Sequence, residues 1–247
     1  MPNLDYEKII KRIQEWLREY LEKSAAKGFV IGLSGGLDSS VAAVLCRRVT
    51  ENTLALLLPC DSSPQDSEDA IFVAEKFDIQ TRIYDLTPAY TSLLRILTKS
   101  AKHNEIHKLA SANIKPRLRM IALYYVAGTL GYLVVGSGNL TELTLGYFTK
   151  YGDGGVDILP LGSLLKRDIR KISEILGIPK KILNKLPSAG LWPGQTDEEE
   201  LGASYEVLDR VVANEDVSDV DEGLAKRLRR MEVSKRHKRL PPPICNL

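Results

Sequence analysis

The sequence predicts an α/β fold: a Rossmann-like open parallel sheet with helices on both faces, built as a single domain over residues 1–247. Three observations predict it. Short continuous apolar runs, Phe29–Leu33, Thr53–Pro59 and Tyr132–Val135, have the length and composition of strands buried on both faces. Helical stretches stand between them, and a strand, helix, strand order with short connections implies parallel pairing through right-handed crossovers. A glycine- and serine-rich turn, Gly32–Ser40, sits at the first strand-to-helix junction, where open α/β sheets bind ligands.

Composition sets the outer limits. A hydrophobic share of 44% and a charged share of 27% are those of an ordinary globular protein, and a net charge of +2 points to no particular partner. No apolar run approaches the ~20 residues that span a bilayer, and the start, Met1–Glu7, lacks the basic and apolar regions of a signal peptide, so no membrane partner and a cytoplasmic location are expected. The three cysteines, Cys46, Cys60 and Cys245, form no metal-type spacing and fit free thiols in a reducing compartment.

In chain order, residues 4–26 place Ile9, Ile10, Ile13, Trp16, Leu17 and Leu21 at helical spacing, an amphipathic helix for packing on the sheet. The first strand then opens onto Gly35 and Gly36. Glycine reaches backbone angles closed to other residues, so successive N–H groups can point at one anion while the following helix adds its N-terminal partial charge. Ser34, Ser39 and Ser40 offer hydroxyls, and Asp38 is placed to hold a metal on bound phosphates. The lysine of a G-x-x-x-x-G-K-[ST] loop is missing.

After the second strand, a polar loop, Cys60–Asp69, leads into a helix through Ala70–Phe77; Gln65 there suits either an adenine edge or a helix start. Ile79–Tyr84 is the third strand. His103 and His107 lie four apart without a third ligand and are read as surface residues. A long apolar helix starts near Asn113 and runs to about Gly131. Arg117 and Arg119 occupy its first turns, where the helix dipole disfavours cations, which points to holding an anion. The fourth strand ends in Gly136–Glu142, and Glu142 could meet Asp38 across a magnesium ion.

Residues 145–160 carry four glycines and three aromatics, a shaped loop that is neither helix nor regular strand. Its ionisable members are Lys150, Asp153 and Asp157, and its rings could stack a flat heterocycle. Lys166, a candidate phosphate ligand, opens a helix that Gly177 and Pro179 end. Residues 186–197 form a Pro/Gly loop able to close over a ligand, and Thr196 with Glu199 caps the next helix. The basic runs Lys226–Arg230 and Lys235–Arg239 read as the solvated side of a helix whose buried side is Leu224, Leu228 and Met231, so no nucleic-acid partner is expected.

The Gly-rich turn, Ser34-Gly-Gly-Leu-Asp-Ser39, resembles the pyrophosphate loop of the ATP pyrophosphatase superfamily, whose fold is adenine nucleotide alpha hydrolase-like. With NIKPRLRM, the loop ending in Glu142, FTKYGDGGVDILPL, TDEEELGASYE and His237-Lys238, the chain resembles the ammonia-dependent NAD synthetase family from the phosphate loop to near its C-terminus. The resemblance implies that the nicotinate carboxylate of deamido-NAD attacks the ATP α-phosphate and that ammonia then displaces AMP. It implies ATP binding by Gly32, Leu33, Ser34, Gly35, Gly36, Leu37, Asp38, Ser39, Ser137, Lys166 and Ser188, and magnesium on Asp38 and Glu142. Arg117, Lys150, Asp157, His237 and Lys238 would contact deamido-NAD, and Asp153 and Asp157 are candidates to bind ammonium or take its proton. Ser137 and Ser188 stand where relatives often carry threonine. The family forms homodimers, and the apolar helix after Arg119 is the candidate interface. A GMP synthetase subunit, a tRNA-thiolating relative and a nucleotide-binding module without activity are the alternatives. The first would lack FTKYGDGG, the second would need catalytic cysteines, and the third would leave the carboxylates without a purpose.

Overall fold

The buried runs become the strands of one parallel sheet in a computed structural model, which describes residues 4–99 and 108–245. β1 (Phe29–Gly32), β2 (Thr53–Leu57), β3 (Gln80–Ile83) and β4 (Leu133–Val135) lie in the order β3-β2-β1-β4, with Phe29 level with both Thr53 and Leu133. His103 and His107 fall outside the described residues.

Burial on both faces explains why β1, β2 and β4 read as unbroken apolar runs. Phe29, Ile31, Ala55 and Leu57 face one side, with α1 (Tyr6–Ser24), α2 (Leu37–Arg47) and α3 (Pro64–Lys76) contributing to the same core. Val30, Leu54, Leu56 and Val134 face the other. After α4 (Thr87–Thr98) and α5 (Lys108–Ala112), α6 (Ile114–Leu130) covers that second face with Leu123, Val126 and Ala127. Each fully buried leucine or phenylalanine contributes about 1.5–3 kcal/mol by leaving water. β3 is the exposed edge of the sheet, and α4 buries none of its residues.

α6 ends where expected, on Gly131 at φ 70°, as does α8 (Lys166–Leu176), on Gly177 at φ 78°, after the short α7 (Leu140–Leu145). Two helices start earlier than their apolar runs. α2 begins at Leu37 because the Gly36 carbonyl accepts from Ser40 N–H at 3.2 Å and from its hydroxyl at 2.7 Å; α3 begins at Pro64, whose fixed φ suits a first turn. Residues 146–165 stay irregular apart from one parallel bridge, Val135 to Ile158, beside β4. α9 (Lys180–Leu183), α10 (Asp197–Leu201), α11 (Tyr205–Val212) and α12 (Glu222–Ser234) complete the chain, with a 3₁₀ turn at Arg236–Lys238. Leu145, Leu201, Tyr205, Leu208, Val211 and Leu228 form a separate small core under these last helices.

Candidate functional site

Strand order places the site. From β1 the chain steps outward to β2 and β3, then crosses back to β4 on the other side of β1, so the loops after β1 and β4 diverge and leave a crevice between them. A cavity of about 980 Å³ occupies that crevice. It is lined by Gly32, Leu33, Ser34, Gly36, Leu37, Asp38 and Ser39 from the first loop and by Ser137 and Glu142 beyond β4.

The first loop is held open by its own hydroxyls. Ser39 Oγ donates to the Gly36 carbonyl at 3.1 Å and accepts from Ser34 N–H at 3.2 Å. Gly35 does not line the cavity. It takes φ +73° with its α-carbon pressed on α3, where a β-carbon would fall 2.4 Å from the Asp66 carbonyl oxygen. Only glycine permits that approach.

Beside the loop lies a dense charge cluster. Lys166 Nζ donates to both oxygens of Asp38, at 2.8 and 2.9 Å, and stands 3.9 Å from Glu142 Oε1, with the Lys166 side chain 7% exposed. Burial works against the lysine's charge, but the Asp38 and Glu142 carboxylates outweigh it and raise its pKa. Burial first, and the Asp38 charge second, push Glu142 up to about 8. Asn139 fixes both acids: its side chain donates to Asp38 Oδ2 at 2.8 Å and accepts from Glu142 N–H at 2.9 Å. Tyr205 OH sits 3.0 Å from Asp197 Oδ2 and 3.4 Å from Glu142 Oε1, while Asp197 Oδ1 is buried with no partner. An orphaned carboxylate oxygen beside two hard-oxygen acids fits a site that takes a small divalent cation. Among the described residues no three His, Cys, Asp or Glu side chains are grouped to hold a metal ion by themselves.

The facing wall carries Arg117, Lys150, Asp153, His237 and Lys238. Lys150 Nζ donates to the His237 carbonyl at 2.9 Å, and Lys238 Nζ to the carbonyls of Gly146 and Phe148 at 2.7 Å each. The two lysines therefore shape the 145–160 loop while lining the cavity. Asp153 accepts from Thr149 N–H at 2.9 Å, and desolvation of its carboxyl by the surrounding loop raises its pKa. Asp157 is not in this cavity. Its carboxylate accepts from Tyr124 OH of α6 at 2.9 Å and from Val134 N–H of β4 at 2.8 Å. Arg119, read from sequence as an anion holder, donates to the Leu58 carbonyl at 3.0 Å and to Ser62 Oγ at 2.9 Å and so braces the loop after β2. Gln65 donates to Glu68 and Asp69, the helix-start alternative.

A strap, residues 186–195, lines the cavity through Leu186 to Leu191 and Gln195 and brings Ser188 to its wall. Leu191 N–H donates to Gln195 Oε1 at 2.7 Å, and Gln195 Nε2 donates to Glu200. Sequence reasoning missed Asn139, Asp197 and Tyr205. The residue types of the first two suggest helix caps, and only the packing of α7, α10 and α11 turns all three toward Asp38.

The sequence profile of the NAD synthase family matches residues 9–242. A protein of Carboxydothermus hydrogenoformans named NH(3)-dependent NAD(+) synthetase is 44% identical over 96% of this chain and 97% of its own length; its namesake in Archaeoglobus fulgidus is 41% identical over 99% and 98%. Among solved structures, the NMN synthetase of Francisella tularensis superimposes with a TM-score of 0.92 at 36% identity, covering 99% of this chain and 100% of its own. The NH3-dependent NAD synthetase of Campylobacter jejuni does so with 0.82 at 27% identity, covering 98% and 100%.

Proposed function

This chain belongs to the NAD synthase family, and from that premise we propose that it is a ligase completing NAD biosynthesis, joining ammonia to the nicotinate carboxylate of deamido-NAD at the expense of ATP. The observation that carries the reading is one cavity holding a phosphate loop, a buried Lys166–Asp38–Glu142 cluster and, opposite, a basic wall of Arg117, Lys150 and Lys238.

A carboxylate is a poor acyl electrophile, which is why ATP is consumed. The nicotinate oxygen attacks the α-phosphorus, pyrophosphate leaves, and the acyl adenylate is then open to ammonia, which displaces AMP. In this reading the part of the Gly32 to Ser39 loop that lines the cavity binds the outgoing pyrophosphate at the N-terminus of α2, with Ser137 and Ser188 donating to ATP. Lys166 turns from Asp38 toward the phosphates, where its charge offsets what builds in the transition state. Asp38 and Glu142 would hold magnesium, which would supply positive charge at the phosphate oxygens. Arg117, Lys150, His237 and Lys238 orient deamido-NAD, and Asp153 on the same wall takes the proton that ammonium must lose before it attacks.

Asp157 needs a different setting. Ile121 and Tyr125 are 59% and 73% exposed on the same helix as its partner Tyr124, and a homodimer through this face of α6 would bring Asp157 to a dinucleotide site shared between protomers. The free thiols of Cys46, Cys60 and Cys245 agree with a reducing, cytoplasmic setting.

A second reading follows from the Francisella structure, whose protein is named for synthesis of the mononucleotide. The same cavity would then amidate nicotinate mononucleotide. Purified protein given Mg-ATP, ammonium and equal deamido-NAD and nicotinate mononucleotide decides: NAD with stoichiometric AMP supports the first reading, NMN the second. No AMP from either substrate rejects both.

A further inference from the structure

Lys115 is 2% exposed at the N-terminal turn of α6, where the helix dipole opposes a cation. Burying a charge there costs several kcal/mol unless it is well bonded. Its bonds join separate parts of the site. Nζ donates to Asp61 Oδ2 at 3.0 Å and to the Asp61 carbonyl at 3.1 Å, in the loop after β2, and to the Leu191 carbonyl at 3.0 Å, in the strap. The Tyr90 ring of α4 stands 5.1 Å away, within reach of a cation–π contact. Asp61 is itself committed, at φ 51° with its N–H on Thr87 Oγ1 at 3.0 Å.

Elsewhere the strap is held near its two ends, by Asp197 N–H on the Pro187 carbonyl at 3.1 Å and by Gln195 Nε2 on Glu200 at 3.1 Å. Gly190 and Gly194 take φ +61° and +74° with open space around them, which marks them as bending points. Leu191 is the residue between them that is pinned from both sides, its carbonyl by Lys115 and its N–H by Gln195. Trp192 adds one contact, with Lys108 Nζ 4.2 Å above its ring. Lys115 is thus a buried charge connecting the strap to the wall after β2.

We propose that Lys115 is a positioning residue for the adenylation step, latching the 186–195 strap over the ATP side of the cavity through the Leu191 carbonyl. The proposal rests on the ATP-consuming reading above. Ser188 lies on the same strap, so releasing the latch moves a proposed ATP ligand while leaving Arg117, Lys150 and Lys238 in place.

The test uses the full chain carrying Trp16→Phe, which leaves Trp192 as its single tryptophan. Acrylamide quenching of Trp192 is measured with and without magnesium and α,β-methylene ATP, before and after Lys115→Met, which keeps the side-chain stem and removes the charge. The latch predicts a quenching constant raised about threefold without nucleotide, and a KM for ATP raised about tenfold with the KM for deamido-NAD little changed, the size of one lost charged hydrogen bond. Equal quenching in the two proteins overturns the proposal, as does a variant whose two KM values rise together. Should Lys115→Met fail to fold, Lys115→Gln removes the charge and shortens the side chain while keeping it polar, and a Trp192 quenching constant unchanged there also overturns the proposal. A protein that forms neither NAD nor NMN defeats the functional reading, whereas the quenching comparison still reports on the latch.

Discussion

At Lys166, burial and charge oppose each other, and the pair with Asp38 settles the contest. Removing one member of a buried pair leaves the other charge uncompensated, so Lys166→Met is expected to cost about 3–5 kcal/mol of stability, read from urea unfolding. In protein that still folds, AMP formation is expected to fall by about 10² to 10³-fold, as for loss of a main electrostatic stabiliser. The cysteines give a second prediction at this scale. Cys46 and Cys60 are buried, and burial raises both thiols, most strongly Cys46, whereas Cys245 is exposed. Native protein is therefore expected to give one fast equivalent with a thiol reagent and three after denaturation. Residue chemistry was partly legible in the sequence: Asp38, Glu142 and Lys166 were singled out and do converge. Tyr205 was not, because nothing local marks a tyrosine as the group that spans two acids.

Among the elements, the turn from β1 to α2 has the tightest geometry. Gly35→Ala would place a methyl 2.4 Å from the Asp66 carbonyl at a left-handed φ, and the two effects together are expected to cost about 1–3 kcal/mol. Calorimetric titration with magnesium and α,β-methylene ATP should show the affinity lost as the turn shifts; unchanged binding would remove Gly35 from any role in shaping the loop. α11 offers a contrasting test. Leu208 is fully buried in the small core under the last helices, so Leu208→Ala is expected to cost about 2–5 kcal/mol in urea unfolding. Since Asp209 next to it accepts from the backbone N–H groups of Lys166 and Arg167, at 3.3 and 2.8 Å, a shift of α11 should also lower activity. α2 was legible from its apolar run and α6 and α8 also from their glycine stops, whereas the separate four-residue α9 and eight-residue α11 were not, being too short for a pattern to establish.

For the whole molecule, the apolar surface is uneven. Ile83, Ile96, Leu97, Ile121 and Tyr125 are each more than half exposed, on β3, α4 and α6, and single large apolar side chains gathered on neighbouring elements suit an interface better than water. Light scattering is expected to give twice the chain mass of 27.5 kDa, and Tyr125→Asp to return the protein to that mass. Among the described residues no helix is long and apolar enough to cross a membrane.

The three apolar runs were enough to specify β1, β2 and β4 and their parallel direction, because strand-length apolar runs with helices between them have few other ways to be buried on both faces. The sequence by itself also marked the glycine- and serine-rich turn after β1, whose glycines and hydroxyls lie within nine residues of chain, Gly32 to Ser40. Tertiary structure alone decided which distant groups share the cavity. Asp38 meets Lys166 across 128 positions and Lys115 meets Leu191 across 76, and no local pattern encodes such pairs. It likewise turned Asp157 away from Asp153, four residues earlier, because the bridge from Val135 to Ile158 fixes that stretch against β4 and points its carboxylate toward α6.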